Sequence, residues 1–365
     1  MKEIVCPHCG SSEFVMKGNY AQCLFCGTKY GISERNINQT SALDIEKYKN
    51  LAESYFKRKD YFNAYKWYLM AADAGDGFSM YKIGKIYEDG LGVDQNYKTA
   101  FEWYQKGAVA GDPYAMNALG YCYYSGTGID EDDIKAAVWT RKAADAGNIM
   151  AANNMGIFYQ DGEGVEQDEY QAVEWYKKAA YSGYSDAMLA LGRLYWNGGD
   201  GQNGRIVEQD CDEAMFWFRK SADAGNTDAM VILGYLSKKE GKLDIAGRWF
   251  EKGAAGGNNV AMLNLANIYK EKGNDSATFE WCRKSAETGL PLAMRMVASC
   301  YADGIGVSKD QHRAAYWYQK AADAGETGSM RILGDMYASG NGVKKDLDLA
   351  RKWYKKATEG NSEGN

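Results

Sequence analysis

The sequence predicts an all-α protein: a solenoid of about eight helix-turn-helix repeats closed by half-repeats, with a small β module in front of it. Two observations predict the solenoid. An alanine recurs at Ala64, Ala100, Ala136, Ala172, Ala214, Ala246, Ala314 and Ala350, with Thr278 in that place once, at steps of 36, 36, 36, 42, 32, 32, 36 and 36 residues. Three residues after each head stands a tryptophan (Trp67, Trp103, Trp139, Trp175, Trp217, Trp249, Trp281, Trp317 and Trp353), so nine of the ten tryptophans share one structural position. Within a copy, apolar and small residues recur at i, i+3, i+4 and i+7, which puts one apolar stripe on each of two short helices. One such pair cannot bury its own stripes, so the copies must stack. A third observation, a doubled Cys-x-x-Cys-Gly, sets residues 1–32 apart from the rest.

In that first module, Cys6 and Cys9 form one pair and Cys23 and Cys26 the other, thirteen residues on. Each pair makes a tight knuckle that aims two thiolates at one point, and the glycine after it permits the turn. Four thiolates at this spacing suit one tetrahedral, structural Zn²⁺. The alternating stretches 13–17 and 19–22 predict a short hairpin that joins the two halves. A ribbon this small has little core, so metal binding would supply its folding energy. Disulfides are not expected, because the opening MKEIVCPHCG lacks the apolar core of a secretory signal. The ribbon's charge is near neutral (Lys2, Lys17 and Lys29 against Glu3 and Glu13), which favours a protein partner over nucleic acid.

Residues 33–42 are a polar linker, and residues 43–365 make the solenoid. Leu43 to Lys57 reads as a lone second-type helix capped by Ser41, because Leu51, Ala52 and Tyr55 match Leu333, Gly334 and Tyr337. Eight pairs follow from Tyr61, and Leu347 to Thr358 is a last first-type helix; such half-units cover apolar ends. Asp60, Asn96, Asp132, Asp168, Asp210, Asn274, Asp310 and Asp346 stand four places before their heads, where an N-cap belongs. Lys242 alone breaks the row. Gly84, Gly120, Gly156, Gly192, Gly234 and Gly334 sit inside second helices at about 1 kcal/mol each in propensity. Close packing against the tryptophans is the expected compensation. The Gly-x-Gly pieces follow helices rather than strands and lack a Gly-Lys-Ser/Thr ending, so they read as helix ends and not as phosphate loops.

These residues resemble a family. AxxWYxKAA, a glycine, and then AMxxLGxxYxxGxGVxxD are similar to the Sel-one-like repeat, a relative of the tetratricopeptide repeat, over residues 43 to about 360. Copies headed by Ala214 and Ala246 lack the GxGV loop, and the copy headed by Ala172 has extra residues around Gly198 to Arg205. The resemblance implies a right-handed superhelix of helix pairs that acts as an adaptor for other proteins. A secreted branch of the family, with paired cysteines in every repeat, is linked to β-lactam binding or hydrolysis. Those pairs are missing here, and Cys122, Cys211, Cys282 and Cys300 read as free thiols.

The expected function is therefore a cytoplasmic adaptor that holds a protein or peptide on the concave side of the solenoid. Contact positions are exposed first-helix residues that vary between copies: Lys66, Val138, Phe216, Arg248, Tyr316 and Lys352. The two aromatics lead, since exposed aromatics anchor interfaces. A lysine six places after most heads (Lys106, Lys142, Lys178, Lys220, Lys252, Lys284, Lys320 and Lys356) reads as a solvated face with helical Glu partners at Glu102, Glu174 and Glu280. A net charge of −6 argues against broad nucleic-acid binding. No apolar run is long enough for a membrane span. Two histidines, His8 and His312, make no nucleophile, base and orienter grouping, so no enzyme is expected.

Overall fold

Glycine punctuation sets the length of the helices. Every helix from the second to the seventeenth is followed within two residues by a glycine at positive φ, and each of these is thirteen residues long. The structure, a computed structural model, describes residues 14–17, 20–23, 29–31, 41–198 and 207–359. Three strands come first: β1 (Phe14–Lys17), β2 (Tyr20–Cys23) and β3 (Lys29–Gly31). They form one antiparallel sheet in the order β1-β2-β3, with Phe14 opposite Cys23 and Lys17 opposite Tyr20. β1 and β2 fall on the two alternating stretches; β3 has no counterpart in the sequence reading. The expected zinc ligands Cys6, Cys9 and Cys26 lie outside the described residues, and of Cys23 only the backbone is described. Most of the expected linker and most of the extra residues after Gly198 also lie outside them.

The remaining elements are helices in two compact units, one ending at Lys178 and one starting at Ala179. The first unit holds α1 (Ala42–Lys57), α2 (Tyr61–Asp73), α3 (Gly77–Asp89), α4 (Tyr97–Val109), α5 (Pro113–Ser125), α6 (Asp133–Asp145), α7 (Ile149–Asp161) and most of α8 (Glu169–Tyr181). The second continues with α9 (Ser185–Asn197), α10 (Cys211–Asp223), α11 (Thr227–Lys239), α12 (Leu243–Ala255) and α13 (Asn259–Glu271). It closes with α14 (Asp275–Glu287), α15 (Pro291–Asp303), α16 (Gln311–Asp323), α17 (Thr327–Ser339) and α18 (Leu347–Glu359). Even-numbered helices carry the tryptophans and are the first-type helices.

Local chemistry explains where each helix starts. Ser41 and Asp44 form a reciprocal capping box on α1. All eight Asp and Asn residues expected as caps accept a backbone N–H of the first turn, as Asp310 does from Arg313 at 3.0 Å. Lys242 makes no such bond. A second row of caps was not foreseen: Asp76, Asp112, Asn148, Asn226, Asn258 and Glu326, each directly after a turn glycine, cap the second-type helices. Three of these asparagines also reach back one repeat. Asn148 donates to the Pro113 carbonyl, Asn226 to Asp186 at 2.7 Å, and Asn258 to Asp228 at 2.8 Å.

The structure corrects the expectation that glycines in the second helices receive tryptophans. They receive the residue that follows Trp, from the first-type helix of the next copy. In the first unit Gly84 faces Tyr104, Gly120 faces Thr140 and Gly156 faces Tyr176; in the second Gly192 faces Phe218, Gly234 faces Phe250 and Gly334 faces Tyr354. A Cβ on Gly156 would stand 2.5 Å from a Tyr176 ring carbon, a distance that real side chains do not tolerate. The more extensive contact therefore joins a second-type helix to the following first-type helix, and the contact within a hairpin is the smaller one. Tyr68, Tyr104, Tyr176, Phe218 and Phe250 are buried to 2% exposure or less. Buried hydroxyls need partners. Tyr68 donates to Glu53 at 2.6 Å, Tyr176 to Gln160 at 2.9 Å, and Tyr104 to Glu88.

The tryptophans are correspondingly less buried than expected. Trp175, Trp217 and Trp353 are in the core, whereas the other six of the repeat row are half-buried. The cause is angular: at about 100° per residue, the head and the residue four places on share one direction, while Trp, three places on, lies off to the side.

Replacing Gly156 by Ala should lower stability by about 1–3 kcal/mol despite alanine's better helix propensity, because the Tyr176 ring has no room to retreat. Urea denaturation of the full chain would measure it; an unchanged or raised midpoint would show that the ring yields.

Candidate partner-binding face

The same rotation decides what faces outward. Two places after the head the helix has turned by about 200°, so that side chain points away from the stack. The six residues singled out from sequence all hold this position. In the first unit Lys66 is half-buried and Val138 is exposed; in the second Phe216, Arg248, Tyr316 and Lys352 are exposed. Glu102, Glu174 and Glu280 fill the other places in the row, and each is exposed. Within each unit, one residue per helix makes a line rather than a cluster.

Two stations on this line are built up by neighbours. Phe216 stands edge-on to Trp217 at 5.2 Å between ring centroids, and Tyr181 meets the same indole from the end of α8 at 5.7 Å. Lys220 lies over the Phe216 ring at 5.6 Å. At the other station Tyr316 stands edge-on to Trp317 at 5.9 Å, with Lys320 over both rings at 4.9 and 5.1 Å. Tyr181, 76% exposed, escaped the sequence reading. The signal was there: its place at the end of the first-type helix holds an acidic residue in six of the eight other copies, with Val109 and Ala255 in the remaining two, and an aromatic stands there in no other copy.

The lysine row has a more specific role than a solvated face. Lys106, Lys142, Lys178, Lys252, Lys284 and Lys356 each sit over the tryptophan of their own helix, at 4.3, 4.1, 3.7, 4.6, 4.2 and 4.5 Å. A cation over an indole stabilises both, and the aliphatic stem covers the half-exposed ring. Of the expected pairs, Glu280 meets Lys284 at 2.8 Å, while Glu174 lies 3.6 Å from Lys177. Much of the cationic charge is thus engaged with the protein's own rings.

Two depressions stand out among the described residues. The larger, about 540 Å³, is lined among the described residues by one stretch of α1, Leu43 to Leu51. The smaller, about 240 Å³, lies between α12 and α13 and includes Arg248. No group of three or more His, Cys, Asp and Glu among the described residues is arranged to hold a metal. Cys122, Cys282 and Cys300 are buried free thiols, and Cys211 is exposed. Burial pushes the Cys122 thiol up to about 12, which keeps it protonated at neutral pH. The Cys282 and Cys300 thiols, on α14 and α15, lie near enough to shift each other's titration, a meeting that their spacing did not reveal. Among the described residues no helix is long and apolar enough to cross a membrane.

Models of the Sel1 repeat match nine consecutive segments: 51–76, 77–112, 113–148, 149–184, 185–226, 227–258, 259–290, 291–326 and 328–362. The chain belongs to the Sel1 repeat family. From 77 onward each segment pairs a second-type helix with the first-type helix that follows it, the same pairing that the ring-on-glycine contact defines. Two solved structures carry the likeness along most of the chain. One is a protective antigen of uropathogenic Escherichia coli with the same repeat fold, 31% identical, covering 87% of this chain and 72% of that one, at a TM-score of 0.62. The other is a Sel1 repeat protein from Oxalobacter formigenes, 25% identical, covering 90% of each chain, at a TM-score of 0.61. No curated protein matches the chain. Sel1 repeat proteins generally mediate contacts between proteins.

Phe218→Ala should lower stability by about 3–5 kcal/mol, since that ring fills the space over Gly192. Phe216→Ala, two places earlier on the outer side, should cost about 1 kcal/mol. Thermal midpoints of the two variants would separate them, and equal losses would put Phe216 in the core.

Proposed function

We propose that this Sel1 repeat protein is an adaptor that holds a protein or peptide partner along the outward face of its first-type helices, with the N-terminal ribbon as an accessory module. The observation that supports this most is the pair of aromatic stations in the second unit, Phe216 with Tyr181 and Trp217, and Tyr316 with Trp317. Exposed aromatics beside a paired cation supply large contact area at low entropic loss, which suits them as anchors. Lys66 and Val138 in the first unit, and Arg248 and Lys352 in the second, vary the chemistry of the outward positions and would set which partner fits. Helices fixed by glycine packing lose little freedom on docking, so the ordering penalty falls on the partner alone. No catalytic step is assigned to the chain.

The ribbon reading rests on the donor set. Four cysteines in two Cys-x-x-Cys-Gly knuckles frame a sheet whose β2 ends at Cys23 and whose β3 starts three residues after Cys26. Three strands of three or four residues have too little apolar surface to fold unaided. Cys6, Cys9, Cys23 and Cys26 would hold one Zn²⁺, which supplies a tetrahedral cross-link and no chemistry. Thiolate donors, together with the free thiols Cys122, Cys282 and Cys300, point to reducing surroundings, and the cytoplasm is the compartment we assign.

Native mass spectrometry of the full chain should find one zinc per molecule and none after Cys23→Ser, with the helical thermal transition unmoved. A metal-free wild-type chain would end the ribbon reading. Affinity capture from the host lysate should lose its bound protein when Phe216 and Tyr316 are both replaced by alanine at an unchanged midpoint. Capture that survives the double change would remove these stations from the binding face.

A further inference from the structure

The copy headed by Ala246, like that headed by Ala214, lacks two pieces that some other copies use to close their hairpins. The first is a ring on the residue after the head. Tyr65 stands edge-on to Tyr87 at 6.0 Å, Phe101 to Tyr123 at 5.5 Å, and Phe279 to Tyr301 at 5.3 Å. The equivalent residue of α12 is Gly247, and the tyrosine opposite is Tyr269. The second missing piece is the loop. Where Gly-x-Gly-Val follows a second helix, its valine packs on the core, as Val93 and Val343 do. The turn from α13 to α14 is only Lys272-Gly273-Asn274 and carries no such residue.

Gly247 is also unlike its fellows. Every other glycine inside the described helices would, with a Cβ, meet an atom at 2.9 Å or less, whereas at Gly247 the nearest is Ile268 Cγ2 at 3.7 Å. A glycine inside a helix is destabilising unless something needs the space it leaves. Here a methyl would make only ordinary contact with Ile268, so no neighbour presses on Gly247 as one does on the others. What remains is the groove of about 240 Å³. Its floor is Leu265 and Ile268, which are 1% and 2% exposed, and its wall is the half-buried Tyr269 ring. At the mouth Lys272 pairs with Asp244 at 2.7 Å, and Tyr269 donates to Glu251 at 3.4 Å.

We propose that this groove binds one phenylalanine side chain of a partner peptide, with the ring placed edge-on to Tyr269 as Phe101 is to Tyr123. The chain itself supplies the precedent, because its own phenylalanines fill this place in two other copies. The volume suits a single side chain and falls below that of ordinary small-molecule pockets, roughly 300–1,000 Å³. An apolar floor under a charge-paired mouth selects the ring and leaves the peptide backbone in water. The site deepens the adaptor reading and rests on it for its partner, since Arg248 of the outward line borders the same groove.

The test uses the full chain and N-acetyl-phenylalaninamide, followed by ligand-observed NMR. Saturable binding with a dissociation constant on the order of 1 mM is expected, with none for N-acetyl-alaninamide. Gly247→Phe should fill the groove from within: binding falls at least tenfold and the thermal midpoint rises by about 2–4 °C. Gly247→Ala, which has room for its methyl, should keep the fold and raise the midpoint less. A lowered midpoint for Gly247→Phe, or equal binding by wild type and Gly247→Phe, overturns the proposal. Either result leaves the adaptor face standing on its own capture experiment, which does not touch α12 or α13.

Discussion

The contact on which the described helices depend is a planar ring lying on a glycine of the helix before it. The second-type helices α3, α7, α9, α11 and α17 each give up a side chain at one point, where the first-type helix of the next copy brings Tyr or Phe down onto the bare backbone; α5 offers the same glycine to Thr140. Helix axes come closer there than any side chain would allow. The loss of helix propensity at glycine is offset by dispersion contacts over the whole ring face and by area removed from water. Because that contact runs between copies rather than inside one, a single hairpin has little to hold it together. Stability in such arrays is mostly interfacial.

That geometry also decides what the protein can offer to others. With the head alanine and the ring both turned inward, the residue two places after the head has nowhere to go but out, in every copy. The stack is thus indifferent to chemistry at that position, and the row varies freely among Lys, Glu, Val, Phe, Arg and Tyr. Tryptophan occupies the border between the two sides. In six copies its indole is half inside, and in five of these the lysine one turn later folds over it, so an otherwise sticky ring is screened by a charged group with its stem laid flat. Where an aromatic joins the outer row, as at Phe216 and Tyr316, that screen opens into a patch.

Some of this was legible before any coordinates. The Asp and Asn caps, the glycine stops, the lone α1 and the closing α18 follow from short-range chemistry, and the helix boundaries agree to within a residue or two. Misreadings came from contacts that cross between copies. Tryptophan, the most conspicuous repeated residue, was taken as the partner of the glycines, although the less uniform residue beside it (Tyr, Thr, Phe or Cys) is the one that packs there. Periodicity reports which positions recur; it does not say which of two adjacent recurrent side chains faces a given neighbour. The second row of caps is equally visible in the sequence, one place after six of the eight turn glycines that follow first-type helices.

By itself the sequence determined that the chain is a train of short helices in register, where each begins and ends, and which residues repeat, because caps, glycine turns and helical periodicity act over a few residues. Only tertiary structure decided that the tight joint lies between copies, that six of the nine repeat tryptophans are only half-buried, and that Gly247 has ordinary contact where the other helical glycines leave no room for a Cβ. Those outcomes depend on distances between residues far apart in the chain, and no local pattern encodes whether the space opposite a glycine is filled.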